Sequence, residues 1–344
     1  MSVQELYRNN QPLSQIQHLY QLQISDLGDI DERLRGIFSP GYDQALVAQY
    51  MTTQFREEAQ TYVEKYQKTD YFANLLSTAF EKIGLRQEQR SQLTILDIGS
   101  GAGNSVFPLM ELCPDSMIIA SDLSVELLAL LKQVLLRQQL HNNCHLLQLN
   151  AEELNFTERT FDLVVGAATL HHLFTPEKAL QGCAQILKKG GWAIFFEPFE
   201  NGHALLSLAY RDILKEEPQR PRLPEESRGF LVSRIQEYEM RKGRDKSRPE
   251  FALMDDKWFF TRQYFWELAE KWHFSDCLIY PLYPLELAKQ QFVLQTEINL
   301  RLALGKDRDA LPDWAWQIIQ QYDDIFSEDL KKEMLLEGTV LLKK

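Results

Sequence analysis

The sequence predicts an α/β protein: a seven-stranded, mostly parallel sheet under a helical lid. Three observations carry this. Short apolar runs alternate with helical stretches between Leu93 and Glu197, the pattern of parallel strands joined by crossover helices. A glycine-rich turn follows the first of those runs, and long, largely helical segments flank and interrupt the alternation.

Taken in order, the strands fall at Thr94–Ile98, Met117–Ser121, Leu146–Leu149, Phe161–Val165 and Trp192–Phe196. The intervening lengths suit crossovers. Val125 to Gln139 is the clearest helix, with leucines on more than one face, as in a helix packed on a sheet. A second helix is bracketed by Thr175-Pro176-Glu177, which offers an N-cap, a first-turn proline and an acid at the positive end. Lys188-Lys189 and then Gly190-Gly191 follow it, and the glycines can supply a left-handed stop. The alternation breaks after Glu197, resumes near Phe260 with a helix through Trp272 and an apolar run at Cys277–Tyr280, and ends in a strand at Thr339–Leu342.

The expected organisation is a helical lid segment over 1–92, a cofactor-binding core over 93–198, a lid insertion over 199–257, a continuation of the core over 258–283, a second helical insertion over 284–336 and a final core strand over 337–344. The first segment carries an aromatic and glutamine-rich stretch from Tyr42 to Tyr66, and the last insertion carries Trp314 and Trp316, so both hold apolar material able to cover a site or to pack the lid itself.

Composition narrows the function. The chain has 344 residues, 44% hydrophobic and 25% charged, with no apolar run long enough to span a bilayer. Met1 to Gln23 lacks the apolar core of a secretory signal, so the expected location is the cytoplasm. The four cysteines, Cys113, Cys144, Cys183 and Cys277, have neither disulfide nor zinc spacing and fit small buried hydrophobes. A formal charge of −12 opposes binding to nucleic acid. One basic run, Arg241 to Arg248, stands out against that balance, and would be a docking surface for an acidic carrier protein if the chain's small-molecule partner rode on one.

The chemistry concentrates in Ile95-Leu96-Asp97-Ile98-Gly99-Ser100-Gly101-Ala102-Gly103-Asn104, a strand running into a turn whose glycines let backbone approach a ligand. Asp122 ends the next strand, where a carboxylate can accept hydrogen bonds from ribose hydroxyls. That acid alone would also fit NAD, but the third glycine of the dinucleotide fingerprint, counted from Gly99, would fall at Asn104.

With these residues the sequence resembles the class I S-adenosylmethionine-dependent methyltransferases, which share a Rossmann-like core. Asp97, Gly99, Gly101 and Gly103 match the first motif, with Ser100 inside it, and the resemblance places them at the methionine end of S-adenosyl-L-methionine. Asp122 matches the ribose-binding acid, with Leu123 beside the adenine. Asn150-Ala151-Glu152 stands where the family usually has Asp-Ala, and Asn150 would accept through its side-chain oxygen. Phe161 to Ala168, containing Gly166, and Leu170-His171-His172 match the fourth strand and its exit turn. Leu187-Lys188-Lys189-Gly190-Gly191 matches the turn before the fifth strand, with Lys189 in place of the usual proline.

Methyl transfer to a weakly acidic acceptor calls for a base. His171, His172 and Glu197 follow strands four and five on the edge where open parallel sheets place their sites, and a histidine held by a carboxylate can serve near neutral pH. The pairing is similar to that of polyketide-associated C- and O-methyltransferases, which also carry a helical lid. The expectation is therefore an O- or C-methyltransferase of secondary metabolism, using no metal and acting on a small-molecule or carrier-bound acceptor. A structural role for either histidine, a cofactor-binding regulatory or scaffolding protein, and an NAD-dependent oxidoreductase stand as the other readings. His203 is expected in a solvated loop. No Asp-Pro-Pro-Tyr or Asn-Pro-Pro-Tyr follows strand four, which lowers the amino-methylating class.

Overall fold

The structure is a computed structural model and describes residues 11–43, 45, 47, 48, 51–66, 69–140, 143–282 and 290–344. Expectations for 1–10 and 283–289 lie outside the described residues.

All seven expected strands form: β3 (Thr94–Ile98), β4 (Met117–Asp122), β5 (Cys144–Gln148), β6 (Phe161–Ala167), β7 (Leu187–Pro198), β8 (Asp276–Pro281) and β9 (Glu337–Lys343). Two short strands from the N-terminal segment, β1 (Ser25–Asp26) and β2 (Ile37–Ser39), extend the sheet to nine in the order β1-β2-β5-β4-β3-β6-β7-β9-β8. Strands this short show no periodicity, which is why the sequence reads as helical there. Burial explains their presence, since Ile37 and Phe38 run parallel to Leu146 and Leu147 and are almost wholly buried.

Strands β2 through β7 all run parallel, while β9 inserts antiparallel between β7 and β8. Parallel order brings the carboxyl ends of β3, β4, β5, β6 and β7 to one edge, with β3 between β4 and β6 at the point where the winding reverses. The glycine turn, Asp122, Asn150, the His171-His172 turn and Glu197 thereby converge.

Helices α1 (Gln11–Gln17), α2 (Ala59–Tyr66) and α3 (Thr69–Lys82) precede the core, and α4 (Val106–Leu112), α5 (Val125–Arg137) and α6 (Pro176–Ile186) cross between its strands. Ser124 caps α5 by accepting from Leu127 N–H at 3.0 Å. Pro176 opens α6 as expected, but Thr175 makes no side-chain cap, and its N–H donates to Glu152 Oε1 at 2.8 Å. Nor do the glycines stop α6. It ends at Ile186, and Gly190 and Gly191 lie within β7, where Gly190 N–H donates to Lys344 O at 2.8 Å and a Cβ on Gly191 would stand 2.9 Å from Asp162 O.

Beyond the sheet, α7 (Glu200–Glu216), α8 (Glu225–Arg241), α10 (Gln291–Leu304) and α11 (Asp313–Asp324) form a bundle, while α9 (Arg262–Lys271) packs near the sheet edge. The bundle has its own core, centred on Leu206, Tyr210, Phe230, Phe292 and Trp316. Trp314 and Trp316 pack within this bundle, Trp316 donating from Nε1 to Arg308 O at 2.8 Å. Cys113, Cys144 and Cys183 are buried and Cys277 is half-buried, all as free thiols.

Candidate functional site

The sheet edge opens into a cavity of about 290 Å³ lined by Gly99, Ser100, Gly101, Asp122, Leu123, Asn150, Ala151 and Glu152, eight of the residues singled out as cofactor-binding. Gly99 and Gly101 adopt φ +66° and +53°, in the left-handed region. A Cβ on Gly99 would stand 2.5 Å from Thr169, whereas one on Gly101 would meet open space. The turn is therefore pressed against its own fold at Gly99 and open to a ligand at Gly101.

Asp122 organises that opening. Its carboxylate accepts from Gly101 N–H and Ser124 N–H, each at 2.8 Å, and retains lone pairs for a diol. Burial raises its pKa, opposed by those backbone donors.

Three expected cofactor residues stand behind the cavity wall. Asp97 is fully buried, accepts from Ser105 Oγ at 2.7 Å and leaves Oδ1 without a hydrogen-bond partner among the described residues. Burial lifts its carboxyl to about 7. Gly103 abuts Phe107 and Leu131, and Gly166 abuts Phe195, with no room for a Cβ at either. Asn150 differs from expectation in its bonding: its Oδ1 accepts from Glu152 N–H at 3.0 Å and closes the turn after β5. Glu152 in turn holds the start of α6.

The roof comes from the N-terminal segment, with Phe55, Tyr62 and Tyr66 of the aromatic stretch lining the cavity. Phe55 O accepts from Ser124 Oγ at 2.6 Å, and its ring meets His172 edge-on at 5.4 Å. Tyr42 Oη accepts from Asn150 N–H at 3.0 Å. Tyr62 is pushed to a higher pKa by burial and by Asp122.

Glu197, fully buried, anchors the turn after β6. Its Oε1 accepts from Thr169 and Leu170 N–H at 3.0 and 2.7 Å, and its Oε2 from His171 N–H at 3.2 Å and His171 Nδ1 at 2.6 Å. The other His171 nitrogen, Nε2, faces Asp256 Oδ1 at 3.5 Å. Burial opposes charge on this ring, but Glu197 and Asp256 overcome it and raise His171 to about 9. Both ring nitrogens of His171 are thus turned to carboxylates, Nδ1 to Glu197 and Nε2 to Asp256.

His172 differs. It lines the cavity, and its Nδ1 donates to Asp255 O at 3.1 Å, so Nε2 is the acceptor nitrogen of the neutral tautomer. Asp256, with Oδ1 3.3 Å from that same Nδ1, was not legible as a site residue; it is held well below the usual carboxylate range against the cost of burial by Arg241 and the two histidines. His171, His172 and Asp256 together bring possible metal-ligand atoms within 4.8 Å of one another, and Arg241 and Glu197 balance the cluster's charge.

A second chamber of about 610 Å³ lies between the sheet edge and the helical bundle, with His171 and Asp256 on its wall. Tyr66, Tyr71, Phe72 and Ala168 line both spaces. His203, expected in a solvated loop, sits on α7 in this chamber and stacks on Phe259 at 4.1 Å.

The basic run is not a free cationic surface. Arg241 is buried, donating to Glu237 at 2.5 Å and Trp258 O at 3.0 Å. Lys242 pairs with Glu239 and Arg244 with Glu267, while Lys246 lies over Phe251 and Trp258. Burial lowers Lys246 to about 8. Among the described residues no helix is long and apolar enough to cross a membrane.

Residues 96–195 match the family model described as a methyltransferase domain. The chain carries a methyltransferase domain over these residues. S-adenosylmethionine is the cofactor of this domain type, and the open glycine turn and the Asp122 carboxylate fit it. The chain is 29% identical over 149 residues to a ubiquinone/menaquinone biosynthesis C-methyltransferase of Pseudoalteromonas translucida, covering 42% of this chain and 59% of the relative. It is 30% identical over 133 residues to the enzyme of that name from Pseudomonas fluorescens, covering 38% and 50%. The chain thus spans about half the length of the curated relatives it matches. In fold it is similar to a phosphoethanolamine N-methyltransferase 2 of Haemonchus contortus solved with phosphomonomethylethanolamine and S-adenosylhomocysteine, with a TM-score of 0.50, 14% identity, and coverage of 86% of this chain and 58% of that one.

Proposed function

We propose that this chain transfers the methyl group of S-adenosylmethionine to an oxygen or carbon of a small-molecule acceptor of secondary metabolism, such as a hydroxylated polyketide. The observation that carries this reading is the meeting of two cavities along Tyr66, Tyr71, Phe72 and Ala168: one has the cofactor residues, the other has room for an acceptor.

When bound, the cofactor supplies an electrophilic methyl on a sulfonium centre. The protein's part is to orient the acceptor, exclude water and remove a proton. His172, which lines the cofactor cavity, is the base for the acceptor atom brought up to the methyl there, since its Nδ1–H is held by Asp255 O and Nε2 is the acceptor nitrogen of the neutral ring. His171 and Glu197 act as a positioning pair, fixing the turn that carries His172. Loss of one proton from a phenol or enol activates both its oxygen and its adjacent carbon, so a single base serves either target atom. The helical segments over 1–92, 199–257 and 284–336 form the lid in this reading. The committed cations of the 241–248 run favour a free acceptor over one presented by an acidic carrier.

Calorimetric titration with S-adenosylmethionine, S-adenosylhomocysteine and NAD tests the cofactor half without knowing the acceptor. Micromolar binding of the first two and none of NAD is the expected result. Binding of NAD alone would overturn the reading, and cofactor binding without turnover on any acceptor would favour the regulatory alternative.

A further inference from the structure

The helical bundle turns polar residues toward the second chamber. Helix α7 contributes His203, Ser207 and Tyr210, spaced as one helix face, and α8 contributes Arg234 and Tyr238. Helix α10 adds Gln295 and Asn299 on one face of its own. A bundle that only packed on the sheet would bury apolar stripes there.

Several of these polar groups await a partner. Ser207 is 3% exposed, and its Oγ has no hydrogen-bond partner among the described residues; Arg234 Nε is likewise buried and unbonded, and His203 Nε2 is held only at 3.6 Å from Glu337 Oε1. An unsatisfied buried donor or acceptor costs roughly 1–3 kcal/mol, so two on one chamber wall, beside a loosely held histidine, mark a surface completed by something else. The guanidinium charges, by contrast, are already matched: Arg234 pairs with Glu237 at 2.5 Å, and Arg241 with Glu237 and Asp256, while Lys65 lies over the Tyr66 ring. A neutral guest keeps those pairs, whereas an anion would have to compete with Glu237 and Asp256. Tyr71, Phe72 and Phe196 supply flat apolar walls, and the volume of about 610 Å³ lies within the range that holds drug-sized molecules.

We propose that the acceptor is a neutral, ring-bearing molecule with several hydroxyl groups, and that Ser207 and His203 recognise it by hydrogen bonding. This rests on the methyltransferase reading above and departs from a prenylated quinol, whose tail would leave these groups unpaired. Sites built to bond a hydroxyl reject analogues lacking it far more strongly than apolar pockets reject an added methylene.

The test measures S-adenosylhomocysteine release with a flavonol and an aryl hexoside on one side and a naphthoquinol bearing one prenyl chain on the other, beside calorimetry of S-adenosylmethionine. At least tenfold higher kcat/KM for a hydroxylated probe is expected. Ser207→Leu should cut that value at least tenfold with S-adenosylhomocysteine affinity unchanged, and Ser207→Ala should keep the wild-type Tm or raise it, because the hydroxyl has no structural partner. Equal or faster turnover of the prenylated probe overturns the assignment, as does tight cofactor binding with neither set turned over. Failure to bind S-adenosylmethionine overturns the methyltransferase reading itself.

Discussion

Glu197 receives the ring N–H of His171 at 2.6 Å and its backbone N–H at 3.2 Å, so one buried carboxylate fixes both the position and the charge of that imidazole. The consequence is a pH-dependent stability. His171 is raised to about 9 in the fold, against about 6.5 in an unfolded chain. A raised pKa stabilises fully below the unfolded value and is lost as pH rises through the folded one, so the contribution fades between about pH 6.5 and 9. Its size is on the order of 3 kcal/mol. Tm measured across that range should fall more steeply for wild type than for His171→Gln, a comparison that subtracts the titrations of Asp97 near 7 and Lys246 near 8. Parallel curves would remove the charge from His171.

The same bonding separates the two histidines kinetically. His172→Ala should lower kcat by about 100-fold or more, the usual worth of a general base, while S-adenosylhomocysteine affinity stays within about threefold, since the side chain's bonds are to Asp255 and Asp256 rather than to the glycine turn. His171→Gln should retain more activity than His172→Ala and lower Tm. Wild-type turnover in His172→Ala would assign proton removal to another group.

Two glycines of one turn should fail in different ways. At Gly99 an added methyl collides with Thr169 at 2.5 Å, and Thr169 cannot yield because its N–H is bound to Glu197 and its Oγ1 donates to Ile98 O at 3.0 Å. Gly99→Ala should therefore lose several kcal/mol of stability, from overpacking and left-handed strain together. Gly101→Ala meets nothing within 4 Å, so its folding cost is only the strain of φ +53°, about 1–2 kcal/mol. Its methyl enters the cofactor cavity instead. Chemical denaturation and calorimetry on the two variants should show the first losing mainly stability and the second mainly cofactor affinity; equal profiles would contradict the geometry.

The sheet was legible because its signals are local. Each of the seven expected strands is an apolar run bounded by turn residues, and Asp97 to Gly103, Asp122 and Asn150 sit where such runs end. The added strands β1 and β2 were not legible, because two or three residues make no pattern and only the exposed edge of β5 gives them a reason to form. Asp256 was invisible for a different reason. It belongs to a polar stretch after the basic run, and what makes it part of the site is Lys257 N–H donating to His171 O at 2.7 Å, a contact between segments 86 positions apart in number. The role of Arg241 was misread in the same way, since a charge run shows its residues in sequence but not which one turns inward.

That inward turn yields a prediction opposite to the one a surface patch would give. Arg241 donates from Nη1 to Glu237 at 2.5 Å and approaches Asp256 at 3.3 Å, with its guanidinium 3.8 Å from the centre of the Phe259 ring. Removing it leaves two partly exposed carboxylates, Glu237 and Asp256, without the buried cation between them, and takes away the ring contact and the bond to Trp258 O, a loss of about 1–3 kcal/mol. Arg241→Met should therefore lower Tm by several degrees, and Arg241→Lys should recover only part of the loss, because an ammonium cannot reproduce the fork that reaches both acids and Trp258 O. Arg248→Glu, at an exposed position in the same run, should leave Tm within about a degree. Thermal unfolding of the three variants side by side checks this, and equal shifts at 241 and 248 would return the whole run to the surface.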